Sequence, residues 1–343
     1  MLTAAAFCLA LDLVSARADL LLTPSFKNAT ESDWIIGGSA TLTAATGVDT
    51  AGDGWLRLTP NSNNQAGYAI YNKPIASSQG IQVAFDYSIW GGGAHGADGL
   101  AVAIIDANHP PNTPGAYGGA IGYAQHGLQA GILGGMLGIA LDEYGNFSTA
   151  LEGRPGGTAT LNPYTVSVRG PGNGTSSTYI TAPSGTANFP NYNFLTKSAT
   201  LSTSVLVPEP NTATRPTSAA DLRHAVINFD MSDIANGHAY VGVTLSDGIG
   251  DTWNPIVNYD VGAALIGYYG VGNVPTEFEI ALTAGTGGSR NTHELRNMEV
   301  SPSQLAGDFQ DQPTSVPEPG LWQLFGIGSV GILFLRRRLN KTN

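Results

Sequence analysis

Gly96-Ala97-Asp98-Gly99 runs without interruption into Leu100-Ala101-Val102-Ala103-Ile104-Ile105, and the reading of the whole chain turns on this stretch and on the forty residues after it. A carboxylate-bearing turn feeds an apolar strand. A glycine-rich turn, Tyr117-Gly-Gly-Ala-Ile-Gly-Tyr123, comes next, and then a second strand ending in Ile139-Ala-Leu-Asp-Glu-Tyr-Gly-Asn-Phe147. Glycine lets a ligand approach the main chain with no side chain in the way. Acid and amide oxygens at strand ends suit a shallow binding site supported by calcium, because hard cations take oxygen ligands.

Outward from that stretch the chain reads as short strands and turns. In Ile81-Gln-Val-Ala-Phe-Asp-Tyr-Ser-Ile-Trp90, residues Ile81, Val83, Phe85, Tyr87 and Ile89 fall on one face, with Gln82, Asp86 and Ser88 on the other. Such period-two patterning predicts an antiparallel strand with one face in a core. Trp55–Leu58, Tyr68–Tyr71, Tyr164–Val168, Ala225–Phe229, Tyr240–Leu245 and Glu277–Leu282 read alike, and no long helix is expected. Many short strands at this spacing predict an all-β, antiparallel two-sheet sandwich over 19–302. The Pro/Thr-rich segment Val207–Ser218 reads as a long surface loop inside that domain rather than a boundary.

Composition agrees. Charged residues make up only 12%, while Gly (45) and Pro (20) are abundant, which favours a turn-rich β chain. The two end segments take five of the 15 basic residues and two of the 26 acids, leaving the middle with 10 basic against 24 acidic groups, a net of −14. A body of that charge repels nucleic-acid phosphate, so no nucleic-acid partner is expected. The one cysteine, Cys8, lies in the N-terminal apolar segment, so the body can hold neither a disulfide nor a thiolate metal site.

Both ends read as addresses. Residues 1–18 carry an apolar run, interrupted by Asp12, and then Ala16-Arg17-Ala18, a small-x-small cleavage pattern that makes Asp19 the first mature residue of an exported protein. After a linker at 303–314, Val316-Pro-Glu-Pro-Gly320 precedes the apolar run Leu321–Leu335 and then Arg336-Arg337-Arg338, with a tail at 339–343. An apolar helix of about 15 residues spans ~22 Å, short for a bilayer core of ~30 Å. Trp322 suits one interface, and the arginines suit the other and fix that end in the cytoplasm. Segment 315–338 is thus expected to be a short C-terminal transmembrane helix. It also resembles the bacterial PEP-CTERM sorting signal. That resemblance implies a Gram-negative, exopolysaccharide-producing host and an exosortase partner. The protein would be anchored first in the inner membrane and then released to the cell surface or extracellular matrix.

The body resembles the L-type (legume-like, concanavalin-like) lectins in their bacterial secreted form. Four landmarks carry this: Gly96–Gly99, Gly118–Gly122, Ile139–Asn146, and Phe278–Gly288 followed by Asn291-Thr-His-Glu-Leu295. The resemblance implies a jelly roll, carbohydrate binding and a named site. Asp98, after a cis Ala97–Asp98 peptide, would accept hydrogen bonds from two sugar hydroxyls. The Gly119 N–H would donate to the sugar, Asn146 would serve both sugar and calcium, and the Tyr144 ring would stack on the sugar. Asp142, the Tyr144 carbonyl, Asn146 and, as a replacement, Glu152 would hold Ca2+. Ala140 stands where the family has a glutamate for a transition metal, so no Mn2+ is expected. The competing arrangement is calcium-free and held by hydrogen bonds, with Arg154 or Arg169 near Asp142. Specificity would sit in variable loops, including Ala182–Leu195 and Asp247–Val257.

Plainer roles stand beside these. Asp98 could simply cap a turn, Tyr117 and Tyr123 read as packing residues, and Trp90 could border the site or lie beneath it. His95, His109 and His126 read as loop residues and His293 as structural. A glycoside hydrolase of this fold needs two carboxylates about 5–5.5 Å apart. Asp142 and Glu143 are adjacent on a strand and project to opposite faces, so an enzyme is not expected. The remaining alternative is a matrix protein that uses the lectin fold only as a scaffold.

Overall fold

The structure, a computed structural model, describes residues 20–93, 96–207 and 212–303. The expected leader, the linker from 304, the C-terminal helix with its basic tail, residues 208–211 and His95 lie outside the described residues.

Two seven-stranded antiparallel sheets carry the fold. Sheet I has the order β1 (Trp34–Gly38), β4 (Ala66–Ala76), β15 (Glu277–Gly285), β6 (Gly99–Asp106), β7 (Gly135–Asp142), β8 (Thr165–Arg169) and β11 (Phe194–Lys197). Sheet II has the order β14 (Thr252–Asp260), β13 (Tyr240–Asp247), β12 (Arg223–Asp230), β5 (Gly80–Trp90), β16 (Thr292–Pro302), β3 (Leu56–Thr59) and β2 (Thr41–Leu42). A small hairpin, β9 (Tyr179–Ile180) with β10 (Phe189–Pro190), stands apart. The two-sheet sandwich expected from the strand pattern is therefore present, in the jelly-roll form that the resemblance implied. Among the described residues helix is sparse: a single turn, α1 (Thr203–Leu206), precedes β12. The second helix was not expected, since α2 (Gly262–Tyr269) follows β14 and buries Leu265, Tyr268 and Tyr269. Its start is held by Asp260, whose Oδ1 accepts from the Gly262 N–H at 2.9 Å.

The main core lies between the sheets. Ile81, Val83, Phe85, Tyr87 and Ile89 of β5 all point into it, as their alternation requires. Phe229 of β12 and Phe278 of β15 meet edge-on across the gap, with centroids 5.8 Å apart. Each such side chain contributes about 1.5–3 kcal/mol by leaving water, and the edge-to-face pair adds ~1 kcal/mol.

Sheet I is covered on its other face too. There Ala101, Ala103 and Ile105 of β6, Ala140 of β7 and Ala281 of β15 pack under Ile121, Tyr123, Phe147 and Tyr192 from the loops. Burial on both faces explains why β6 and β7 are unbroken apolar runs. It also explains the small residues: a Cβ on Gly138 would stand 2.3 Å from the Tyr123 ring, so only glycine admits that ring against β7.

Candidate functional site

Register brings the site together. Gly99, which opens β6, pairs with Gly285 at the end of β15 and with Asp142 at the end of β7. Three strand ends thus meet at one rim, and Asp98 sits just outside them. Its N–H donates to the Gly285 carbonyl at 2.8 Å, and its own carbonyl accepts from the N–H groups of Glu143 (3.0 Å) and Tyr144 (3.4 Å). The Ala97–Asp98 peptide is cis, as the resemblance implied. The side chain is almost wholly buried. Oδ1 accepts from Asn146 Nδ2 at 3.4 Å, while Oδ2 is buried with no partner among the described residues.

The glycine turn closes over this carboxylate. A Cβ on Gly118 would stand 4.0 Å from Asp98 Oδ2, and one on Gly119 would strike the Asn146 side chain at 2.2 Å. Gly119 therefore has to be glycine for the turn to lie against Asn146. Thr283 pins the turn from β15 by donating its hydroxyl to the Ile121 carbonyl at 2.6 Å. Asp98, Gly119 and Asn146, far apart in sequence, line one place. Tyr144 and Asn146 are both half-buried, so each keeps an open side.

The same rim has a residue that the sequence left as an ordinary loop histidine. His126 lies beside the Tyr117 ring, centroids 5.7 Å apart, and its Nδ1 would be 3.6 Å from a Cβ on Gly118. Only the fold of the 117–126 turn brings it there. Tyr123 is a packing residue, as expected: it is fully buried against Tyr192 and donates to the Gly170 carbonyl at 2.9 Å. Trp90 turns its indole to the outer face of sheet II. Its indole N–H donates to Glu294 Oε2 at 3.1 Å. His109 binds Asp106 at 2.9 Å, at the opposite end of β6.

Asp142 is fully buried, and its two oxygens accept from the N–H groups of Gly145 (2.7 Å) and Phe147 (3.0 Å) within its own loop. Burial pushes its carboxyl up to about 7, against the pull of those two N–H groups and of Arg154. Burial also pushes Asp98 up to about 8, helped by the charges of Asp142, Glu143 and Glu152 and opposed by Arg154. Glu143 was not singled out as a site residue, yet it braces the rim. Its carboxylate takes Asn291 Nδ2 at 2.5 Å and His293 Nε2 at 2.6 Å, and His293 Nδ1 contacts Thr59 Oγ1 at 2.6 Å. That chain of contacts ties sheet I to sheet II and makes His293 structural, as the sequence suggested.

The proposed calcium ligands meet something else. The Glu152 carboxylate lies 2.8 Å from Arg154 Nη1 and 3.6 Å from His126 Nε2. Arg154, its side chain wholly buried, also donates from Nη2 to the Asn146 carbonyl at 3.1 Å. Arg169 is committed elsewhere, donating to the carbonyls of Phe147, Thr149, Pro155 and Tyr192 at 2.6–3.1 Å. Tested against a calcium ion, these residues fit poorly. Both Asp142 oxygens already accept main-chain N–H groups, and Glu152 lies against the Arg154 guanidinium and beside His126. The contacts match the arginine-held arrangement instead.

The segments expected to set specificity start from different places. Ala182 lines a pocket of about 250 Å³ with Asp106, His109, Tyr268 and Tyr269 at the far end of β6. Asp247–Val257 belongs to the β13–β14 hairpin at the edge of sheet II. Loop composition alone could not say which end of the sandwich each loop would reach. The segments around Asp98 are 117–126, 143–154 and 285–291.

No protein-family model matches the sequence, and no curated protein matches it. Solved structures do. Lectin I-B4 from Griffonia simplicifolia, in a metal-free form, aligns with 15% identity and a TM-score of 0.50, covering 82% of this chain and 98% of that one. The exoplasmic/lumenal domain of VIP36, in a form bound to Ca2+ and mannose, aligns with 16% identity and a TM-score of 0.47, covering 80% and 85%. A lectin from Bauhinia forficata in complex with GalNAc gives 15%, 0.47, 82% and 97%. At such identities the likeness speaks for architecture, and on that ground the chain has the jelly-roll fold of the legume-type lectins.

Proposed function

We propose that this protein binds carbohydrate at the rim formed by Asp98, Gly119, Tyr144 and Asn146. The observation that carries the reading is the Asp98 carboxylate: one oxygen is held by Asn146, and the other is buried, flanked by glycines and unpartnered among the described residues. A buried polar atom without a partner is costly, and a sugar hydroxyl is a donor of the right size. In this reading Asp98 takes two neighbouring hydroxyls, the Gly119 N–H and the Asn146 amide supply further polar contacts, and the Tyr144 ring covers C–H bonds. Sharing its architecture with lectin I-B4 supports the same reading.

We further propose where it acts. The protein is exported, sorted by an exosortase-type enzyme through Val316–Arg338, and recognises exopolysaccharide or a cell-surface glycan. The supports are the Pro-Glu-Pro, apolar and triple-arginine order at the C-terminus and the acidic body. A glycan array, run with and without calcium, tests the binding. Retention that disappears in Asp98→Ala is the expected result, and equal retention of the variant rejects the site. Comparing the mass of surface-extracted protein with that of the precursor tests the sorting.

A further inference from the structure

We propose that the guanidinium of Arg154 serves as the built-in cation of this rim, holding the Asn146 and Glu152 segments in place so that the site forms without calcium. What the arrangement is for rests on the rim being a saccharide site; the arrangement itself stands or falls separately.

Four acids crowd this end of the sandwich: Asp98, Asp142, Glu143 and Glu152, three of them nearly inaccessible to water. Carboxylates gathered at low dielectric need an opposing charge. Glu143 has its own, in the His293 and Asn291 contacts. Arg154 opposes the other three, joined at Asp142 by the charge of Arg169. Its placement is that of a ligated ion. It is completely enclosed, touches the main chain of Asn146 on one side, and lies against Glu152 on the other. Glu152 takes a left-handed conformation, φ 61°, that turns its carboxylate back toward the arginine.

Geometry separates this from a metal shell. Calcium gathers six to eight oxygens around a point, whereas a guanidinium is a planar fork that addresses carbonyl and carboxylate oxygens from its edges. Here the two carboxylates a metal would need are already engaged. Both Asp142 oxygens accept main-chain N–H groups, and Glu152 lies against Arg154. The arginine is not fully satisfied, however. Nε makes no hydrogen bond, and Nη1 contacts Glu152 without hydrogen-bond alignment. It is therefore a cation whose position is fixed by enclosure as much as by bonding, and a lysine could not span the same partners.

Calcium chloride titrated calorimetrically into chelator-treated, full-length protein, with melting temperature followed in parallel, tests this. The expected result is no heat of binding and no change in melting temperature at millimolar calcium. Stoichiometric uptake with a rise in melting temperature overturns the proposal, whatever the glycan array shows. Arg154→Gln and Arg154→Lys should each lower the melting temperature by several degrees, with Arg154→Lys recovering less than half of the loss. A Gln variant as stable as the parent would also overturn it. If the Gln variant does not fold, the titration of the parent still decides. An array that retains no glycan while the parent ignores calcium would reject the saccharide reading and leave the arginine role intact.

Discussion

Two buried arginine–carboxylate networks in this molecule are built from the same parts and finished differently. On the outer face of sheet II, Glu294 takes Arg57 Nε at 2.7 Å, Arg215 Nε at 2.6 Å and the Trp90 indole at 3.1 Å. Arg215 goes on to a bidentate contact with Asp49 at 2.9–3.0 Å and lies over the Trp55 ring at 5.0 Å. Its guanidinium is held well above its usual range by Glu294 and Asp49, in spite of burial. Both Glu294 oxygens are satisfied there. At the rim, by contrast, Asp98 Oδ2 and Arg154 Nε have no partner among the described residues. A closed network of this kind serves the fold, because every buried charge is answered from within. The open one leaves capacity that only something from outside can use.

The sharpest way to break that contrast is Glu294→Ala. It strands two arginines and should destabilise the fold by about 3–5 kcal/mol, the usual cost of removing one partner of a buried pair. Denaturant unfolding measures it, and a loss below ~1 kcal/mol would mean the network is ornamental. Asp98→Ala should do the reverse. Binding to a glycan found on the array should fall by roughly 10–100-fold, corresponding to two lost hydrogen bonds at about 1 kcal/mol each, while the melting temperature stays within a few degrees. A large melting shift with binding intact would make the two networks alike after all. His126→Ala should have a smaller effect, changing preference among array sugars by a few-fold, ~1 kcal/mol, without abolishing retention. Unchanged preference would remove His126 from the rim's specificity.

The mildest test concerns Glu279 on β15, nearly buried with one oxygen unpartnered. Burial raises its carboxyl to about 7. A carboxyl raised by folding favours the native state at low pH, and that advantage is lost as pH rises through about 7. Glu279→Gln should therefore raise the melting temperature at pH ~8 and leave it unchanged at pH ~4, below both pKa values. An equal effect at both values would show that the isolated carboxyl is not what the substitution relieves.

The same division separates what the sequence could disclose from what it could not. β5 was legible to the residue, because one face is buried and the alternation is local. β6 and β7 were legible as strands, but their two cores were not, since a run apolar on both faces does not say what covers each side. The stretch 96–147 holds the residues that meet at the rim, and the glycine turn could be read because glycine there excludes side chains. Arg154 could be read only as one of two arginines near Asp142. Its enclosure depends on the backbone reversal at Glu152, which no spacing announces. Glu294 with Arg57 and Arg215 spans separations of 237 and 79 residues, and such pairs become visible only once strand register is known. Within the segment read as a long loop, Arg215 bonds Glu294 of sheet II.

The clip on the Asp98 main chain has a temporal side. Its N–H is held by Gly285 and its carbonyl by Glu143 and Tyr144, so the pocket's first residue waits on a strand made nearly two hundred positions later. A growing polypeptide would stay blind to sugar until almost the whole sandwich had been synthesised. A nick that releases β15 and β16 should silence recognition at a stroke rather than weaken it by degrees.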